Sequence, residues 1–529
     1  MSAPPDLPVW STMPLSERLG WLLRFQRLVA AAQPRLCQLI QEETAKPAHE
    51  ALIADVACLL GACKWLYRHG QSLLGDRVVS DAPFWLRGVQ ITERRAPLGK
   101  VGIIATWNYP VQLLGIQLIQ ALVAGNTVVV KPSERAPRTQ TKLLELAIEA
   151  GLPTGTLTWV GATREAGANM LATQKFDHVV FTGSTEVGQR ISQLLSKTMT
   201  PATLELSGRD SAFVLGDANV SHAAKALWAS ICMNAGQTCM APRRVLFVGS
   251  DRVYDKFVQK LSKLTRGAGT LDMIDEHAAQ RCKELASKAL ANGARDVSTL
   301  STKAAQDSRS GNGPEGTVAD ETLSRRFKPT VLINCNPFGE VVDGRHFGPL
   351  LAVVRCASLE EALAIHRRCD QHLATSIFTR STKAGTLLAQ RLGSTNVTIN
   401  DCVLPTGHPG VSIGGRGMSG AGISRGSEGL LAMTRPVYVS ASRKGIATFA
   451  KHAVKGMPAW QTEFFASVLR WWYGAKHAGK GVPSTGAPGE KNNSNAPLPV
   501  VDEPGAPKPI IHQTPSIGTP EAKRVSDAA

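Results

Sequence analysis

Between Gly102 and Thr182 short apolar, β-branched runs alternate with helical patterns, and this alternation restricts the fold more than any other feature of the chain. Gly102-Ile-Ile-Ala-Thr reads as a strand. Gln117 to Ala124 follows as a helix stopped by Gly125-Asn126, and Thr127-Val-Val-Val-Lys131 as the next strand. A helix over Gln140 to Ala150, a strand at Thr158-Trp-Val160, a helix over Arg164 to Ala172 and a strand at His178-Val-Val-Phe-Thr182 complete the series. Strands separated by whole helices must cross over rather than turn back, which makes the sheet parallel and doubly wound. A ligand is then expected beyond the carboxyl ends of its strands. The pattern resumes after Glu205, with strands at Ser211-Ala-Phe-Val-Leu, Arg244-Val-Leu-Phe-Val and Ala352-Val-Val-Arg and helices over Val220 to Met233 and Val253 to Leu264. The expected class is α/β with a second α/β domain, for which 529 residues are enough.

Around this frame, Leu15 to Leu74 carries apolar residues at helical spacing. Phe84 to Arg95 alternates apolar and polar residues as an extended ribbon does. Thr299 to Asp320 is polar and Gly-rich and reads as a surface loop. From Ala441 the chain reads as a tail, rich in Pro, Gly, Asn and Ser from about Gly479, where too few apolar residues remain to support a core and disorder is expected. The 59 Lys and Arg against 42 Asp and Glu leave a formal charge of +17. They are scattered, with few aromatics between them, so the reading is a basic enzyme that binds anionic cofactors, without a nucleic-acid partner. None of the ten cysteines forms a C-x-x-C pair, so no metal site is expected. The start, Met1-Ser-Ala-Pro-Pro, lacks a basic region followed by an apolar core, and no apolar run spans a bilayer; a cytoplasmic location is expected.

The chemistry centres on Asn234-Ala-Gly-Gln-Thr-Cys239-Met-Ala-Pro-Arg243. A thiolate is a strong nucleophile toward a carbonyl carbon, and Gly236 lets backbone and substrate approach closely. A lone cysteine is more often packed and inert, which is the reading for Cys232, and a lone glutamate or asparagine more often solvates a surface or caps a helix. The order of segments separates Cys239, Glu205 and Asn108 from that background. Thr106-Trp-Asn-Tyr-Pro110, Lys131-Pro-Ser-Glu134, Phe181-Thr-Gly-Ser-Thr-Glu-Val-Gly188, Leu204-Glu-Leu-Ser-Gly208 and the Cys239 stretch follow one another in an order that closely resembles the aldehyde dehydrogenase superfamily, nearest its class 3-like branch, from about Leu15 to about Val439.

The resemblance implies two doubly wound Rossmann-like domains plus a β-ribbon used for oligomerisation. It divides the chain into a cofactor domain at 1–206 with the ribbon at 84–95, a catalytic domain at 207–403, a return to the cofactor domain with an oligomerisation strand at 404–440, and a C-terminal extension at 441–529. It implies oxidation of an aldehyde to a carboxylic acid through a Cys239 thiohemiacetal and thioester. Asn108 and the Cys239 N–H would stabilise the oxyanion, and Glu205 would activate water. NAD, with NADP as the alternative, would lie along Ile104, Ala105, Thr106 and Trp107. Its adenosine ribose would meet Lys131 and Glu134, its adenine would lie close to Gly161 and Gly167, and its pyrophosphate would lie at the Gly183 to Gly188 turn; Ser133, Phe181, Thr182, Ser184, Val187, Leu206 and Phe347 would also contact the cofactor. The aldehyde tunnel is expected near Gln112, Leu113, Met233, Thr238, Met240 and the Asp401 to His408 loop, and the assembly is expected to be a homodimer or homotetramer.

The sequence also departs from the family. Gly344-Arg345-His346-Phe347-Gly348-Pro349 has an arginine where relatives carry the glutamate that holds the nicotinamide ribose, and an arginine accepts no hydrogen bond. Ser207-Gly208 replaces a Gly-Gly, and Ser412-Ile-Gly-Gly-Arg416 replaces a Pro-Phe-Gly-Gly. These changes bear on cofactor positioning, and Arg345 favours a rival reading, a non-oxidising esterase-like or scaffold member, against which Lys131, Glu134 and the Gly183 turn argue. A CoA-acylating enzyme is a third reading, disfavoured because CoA transfer does not need Glu205. Finally, Trp460 to Tyr473 places aromatics at helical spacing, within an amphipathic helix at about 459–476 that either packs on its own enzyme or meets a membrane surface or a partner.

Overall fold

The computed structural model describes residues 9–83, 86, 88–300, 324–403, 407–442 and 456–473. The chain divides into two units, residues 1–445 and 446–529. The larger unit holds both expected sheets. One has six strands in the order Gly420–Ala421, Ala202–Leu206, His178–Gly183, Lys100–Ile104, Thr127–Lys131 and Leu157–Trp159. All are parallel except the short Gly420–Ala421, which runs antiparallel to Ala202–Leu206. The chain moves outward from Lys100–Ile104 in one direction, then returns to its other side at His178–Gly183. The resulting switch point opens a crevice beyond Ile104 and Gly183, where a doubly wound sheet takes its ligand. The other sheet orders seven strands as Arg295–Asp296, Thr330–Ile333, Leu350–Cys356, Arg244–Val248, Ser211–Leu215, Ala374–Phe378 and Asn396–Ile399, all parallel except the first.

The helix expected over Gln117 to Ala124 runs from Gln112 to Val123 and is buried along its whole length. Its start was hidden because its cap is not local. Asp55 Oδ1 accepts from the N–H groups of Val111 and Gln112 at 3.1 and 3.2 Å, which satisfies donors every helix leaves open at its amino end. Asp55 comes from the N-terminal helices Leu15–Ala31, Gln33–Thr44 and Cys58–Leu74, joined through a π-helical turn at Ala51–Ala57. These helices pack through fully buried Trp21, which stacks on Phe25 at 5.4 Å and meets Trp10 edge-on at 5.8 Å. Both indole N–H groups find carbonyls, Leu122 O at 2.8 Å and Ala147 O at 3.0 Å. Burying such a ring contributes roughly 4–5 kcal/mol before entropy is counted.

The ribbon is a strand from Val89 to Pro97, paired over nine positions with Thr434–Ser442 and flanked on its other side by Arg77–Val78. It starts later than the expected Phe84 and ends after Arg95; Phe84, Trp85 and Arg87 lie outside the described residues. The strand at 434–442 extends two residues into what sequence alone assigned to the tail. Most of the Thr299 to Asp320 loop and everything after Tyr473, including the segment from Gly479, lie outside the described residues. In the smaller unit the expected helix is present at Ala459–Tyr473, with Trp460, Phe464, Trp471 and Trp472 exposed; 474–476 lie outside the described residues. Among the described residues no helix is long and apolar enough to cross a membrane.

Candidate active site

The helix Val220–Cys232 ends in an unusual bend. Asn234, Ala235 and Gly236 follow with φ of 51°, 50° and 68°. Three successive left-handed residues are costly for L-amino acids, of order 1 kcal/mol each for the two that are not glycine. Glycine is required at 236, where a Cβ would stand 2.5 Å from the carbonyl carbon of Gly348. Side chains hold the bend closed. The buried Arg243 guanidinium donates to Gly236 O at 2.8 Å, Thr238 O at 2.8 Å and Gly348 O at 3.1 Å. Asn234 Nδ2 donates to Asn108 O at 2.9 Å and Gln237 O at 3.1 Å, and Gln237 Nε2 donates back to Asn234 O at 3.0 Å. Together these bonds turn Cys239 toward a cavity of about 360 Å³.

Asn108 and Glu205 line the same cavity. Asn108 Nδ2 donates to Gln237 O at 3.2 Å, and its Oδ1 accepts from Thr106 Oγ1 at 3.3 Å. An amide carries two N–H groups, so one remains for a substrate oxygen. Glu205 sits in the strand Ala202–Leu206, where Oε2 accepts from Thr182 Oγ1 at 3.4 Å and the buried Oε1 has no partner. Burial pushes its carboxyl up to about 7, with the Arg425 charge and the Thr182 hydroxyl working in the opposite direction. A carboxyl so placed takes and returns protons near neutral pH. Burial also pushes the Cys239 thiol up to about 12, helped by the charges of Glu205 and Asp210 and opposed by Arg425 and Arg243.

The remaining expected residues divide by place. Thr106, Trp107, Thr182, Gly183, Ser184, Leu206 and Phe347 line the cavity with the three above, so Cys239 opens onto the switch-point crevice without a wall between them. Trp107 and Phe347 meet edge to face at 5.9 Å across it. Ser184 caps the helix Thr185–Ser196, leaving first-turn N–H groups beside the crevice. Two glycines make room there. A Cβ on Gly183 would strike the Phe181 ring at 2.4 Å, and one on Gly188, within that helix, would strike Leu206 at 2.5 Å. Ile104 ends its strand, followed by Ala105. At the end of the neighbouring strand Lys131 Nζ donates to Glu134 Oε2 at 2.8 Å, while Ser133 N donates to Gln140 Oε1 at 2.6 Å. Burial alone would raise the Glu134 carboxyl, but Lys131, the backbone and Arg164 outweigh it and hold the group below the usual range. Gly167 packs over Lys131, where a Cβ would stand 3.3 Å from Cγ, and Gly161 opens the turn that leads to its helix. Val187 is exposed beside the Ser184 cap.

Of the expected tunnel residues, Gln112, Leu113, Met233, Thr238 and Met240 line the cavity, as do Val403 and Gly407; 404–406 lie outside the described residues. Arg345 forms an ion pair with Glu186, in the first turn of the helix Ser184 caps. Sequence reasoning missed Arg425, a buried cation at φ 62° that lines the cavity, and gave no role to Arg243. Both follow or lie within glycine-bearing motifs, but their direction depends on backbone turns made elsewhere.

Comparison with known proteins agrees with this geometry. The aldehyde dehydrogenase family model matches residues 2–439. A 4,4'-diapolycopene aldehyde oxidase from Methylomonas is 30% identical over 431 residues, 81% of this chain and 78% of that protein. The crystal structure of a Mycobacterium tuberculosis aldehyde dehydrogenase complexed with NAD+ superposes with a TM-score of 0.72 at 26% identity, covering 82% of this chain and 87% of that one. An Escherichia coli NADP-dependent enzyme superposes with a TM-score of 0.73 at 26% identity, covering 82% and 88%.

Proposed function

The chain belongs to the aldehyde dehydrogenase family, and from that premise we propose that it oxidises an aldehyde to a carboxylic acid with NAD(P) as the acceptor, through Cys239, Asn108 and Glu205. The observation that carries this reading is the single cavity shared by those three side chains and by Thr182, Gly183, Ser184 and Phe347. Burial and the charges of Glu205 and Asp210 oppose loss of the Cys239 proton, and Arg425 and Arg243 offset part of that cost; the proton passes to solvent and the sulfur adds to the aldehyde carbon. The charge that develops on the aldehyde oxygen is met by the Asn108 amide and the Cys239 N–H, each such donor contributing about 3 kcal/mol. When bound, NAD(P) supplies the acceptor for the hydride that leaves this carbon. Cys239 then holds the acyl group as a thioester. Glu205 takes a proton from water, the water oxygen adds to the acyl carbon, and the Cys239 sulfur leaves with a proton restored.

Cofactor residues of the right chemistry are retained. Lys131 and Glu134, paired at the end of the strand Thr127–Lys131, would give ribose hydroxyls a donor and an acceptor, and the Ser184 helix would offer N–H groups to a pyrophosphate. The ionised Glu134 disfavours a 2′-phosphate, so NAD is expected to be preferred over NADP. That retention favours oxidation over the non-oxidising rival. The substrate side of the cavity is walled by Ile53, Leu113, Met233, Met240, Leu373 and Ile413. We assign it a medium-length, apolar aldehyde. A homodimer or homotetramer would form along the exposed Val437, Tyr438 and Val439 of the outer strand. The ten cysteines are all unbonded, in keeping with a cytoplasmic location, and the aromatic helix Ala459–Tyr473 is a candidate surface for a lipid or protein partner.

Purified protein supplied with aldehydes of increasing chain length tests the assignment by NADH absorbance. Activity is expected with NAD, with kcat/KM rising roughly tenfold for every two buried methylenes until the cavity is full. Absence of NADH formation across aliphatic and aromatic aldehydes, with cofactor binding intact, would remove the oxidative reading. The Arg345–Glu186 pair joins two side chains that are about half exposed, and such pairs contribute at most about 1 kcal/mol. Arg345→Ala should therefore raise the KM for NAD no more than about fivefold, with kcat unchanged and the difference fading at high salt.

A further inference from the structure

One buried ion pair beside the site has no part in the chemistry above. Lys46 and Asp55 have no exposed side-chain surface, and Lys46 Nζ lies 2.5 Å from Asp55 Oδ2. The ammonium also donates to Asn108 O at 2.7 Å and lies 4.0 Å over the Tyr109 ring. Asp55 uses its other oxygen for the N–H groups of Val111 and Gln112. The two side chains therefore hold the chain at the Asn108 carbonyl and, three and four residues on, at the Val111 and Gln112 N–H groups. Asn108 O receives a second donor, Asn234 Nδ2 at 2.9 Å, and the Asn234 N–H is held by Glu50 Oε2 at 2.7 Å. The Tyr109 hydroxyl meets Thr238 Oγ1 at 2.5 Å, one residue before Cys239. The N-terminal helical segment from Lys46 to Asp55 thus touches the backbone of the amide donor and, through Asn234, the bend that presents the nucleophile.

Two ions with no exposure carry a desolvation penalty that an apolar pair of the same size would avoid, so the pair is weakly explained by stability alone. What it supplies is fixed geometry. A carbonyl that accepts from an ammonium and an amide at once has little freedom to rotate its peptide plane, and the Asn108 side chain is aimed from that plane. An oxyanion donor acts only if it is already in place when charge develops.

We propose that Lys46 and Asp55 are positioning residues that hold the Asn108 amide at the oxyanion site, with Glu50 and Asn234 coupling the same brace to the Cys239 bend. This rests on the aldehyde-oxidising reading, which wild-type turnover dependent on Cys239 establishes separately. The test is a double-mutant cycle. Lys46→Met with Asp55→Asn removes both charges together, so neither ion is left buried alone, and keeps an oxygen for the Val111 and Gln112 N–H groups. It should lower kcat at least tenfold, with the KM for aldehyde and the Kd for NAD within twofold. Asn108→Ala alone should lower kcat about a hundredfold. Added to Asn108→Ala, the Lys46 and Asp55 changes should lower kcat no further, because the group they position is gone. An equal drop in both backgrounds, or no drop in either, overturns the proposal. If the neutral pair does not fold, Lys46→Arg retains the charge facing Asp55 but cannot repeat the short single contact to Asn108 O. It should show the same loss of kcat with Asn108 present and none without it, and the opposite pattern overturns the proposal equally.

Discussion

Cys239→Ala is expected to abolish aldehyde-dependent NADH formation. The cavity offers one other thiol, Cys58, whose sulfur donates to Ile53 O at 3.4 Å. Among the described residues the wall's hydroxyls, Thr182 beside Glu205 for one, are far weaker nucleophiles at neutral pH than a thiolate. Removing the nucleophile of a covalent mechanism costs roughly four to six orders of magnitude, since the remaining groups bind and polarise but form no bond. The thiol is partly buried and lies at the end of a strained, multiply braced bend. The alanine should leave that bend in place, because Arg243, Asn234 and Gln237 hold it through backbone carbonyls rather than through sulfur. Thermal unfolding within a few degrees of wild type and unchanged NAD affinity would show that the loss is chemical. Residual turnover above about a thousandth of wild type would indicate another nucleophile.

Glu205→Gln separates the two halves of the reaction. Glutamine occupies the same space and keeps an acceptor for Thr182 but cannot take a proton from water. Steady-state turnover should fall by about 10²–10⁴-fold, while the first turnover still releases about one NADH per site, because thioester formation precedes the water step. The pH dependence follows from the carboxyl near 7. The base is active only when ionised, so wild-type kcat rises through pH 7 and levels above it; the glutamine variant loses that limb. Stability runs the other way. A carboxyl whose folded value is raised above its unfolded one contributes stability that is complete below the unfolded value, near 4.5, and is lost as pH rises through about 7. Glu205→Gln should therefore be more stable than wild type above pH 7, by an amount on the order of a few kcal/mol, and close to it at pH 5. The activity–stability contrast across that window is measured by turnover and thermal unfolding at both pH values.

Local signals carried most of the fold. β-branched runs such as Thr127 to Val130, set between helices, read correctly as parallel strands because burial on both faces demands continuous apolar sequence. Helix and strand ends read less well, and the reason is particular. Gln112–Val123 is capped by Asp55 from another helix, and Thr434–Ser442 is extended by pairing with Val89–Pro97 more than three hundred residues earlier. For the site, motif order brought Cys239, Glu205, Asn108 and the crevice residues into one list; Thr106, Trp107, Thr182, Gly183, Ser184, Leu206 and Phe347 line one cavity with the first three, whereas Ile104, Ala105, Lys131, Ser133, Glu134, Gly161, Gly167, Phe181, Val187 and Gly188 are not among its lining residues. The residues that aim them were silent. Lys46 lies 62 positions from Asn108, and Asn108 lies 129 from the Gln237 carbonyl it contacts. Their roles exist only once the backbone has brought those carbonyls together. Arg345 reads in the sequence only as a replacement for a ribose-holding glutamate; that it pairs with Glu186, in the first turn of the helix Thr185–Ser196, could not be read from local sequence.

The most direct test of the account is the mass of the Glu205→Gln protein, acid-quenched within one turnover of mixing with aldehyde and NAD. The account predicts that the peptide carrying Cys239 gains the mass of the acyl group, in proportion to the NADH released, and that the adduct is absent when NAD is omitted. NADH released without an acylated Cys239, or an adduct on another cysteine, would contradict it.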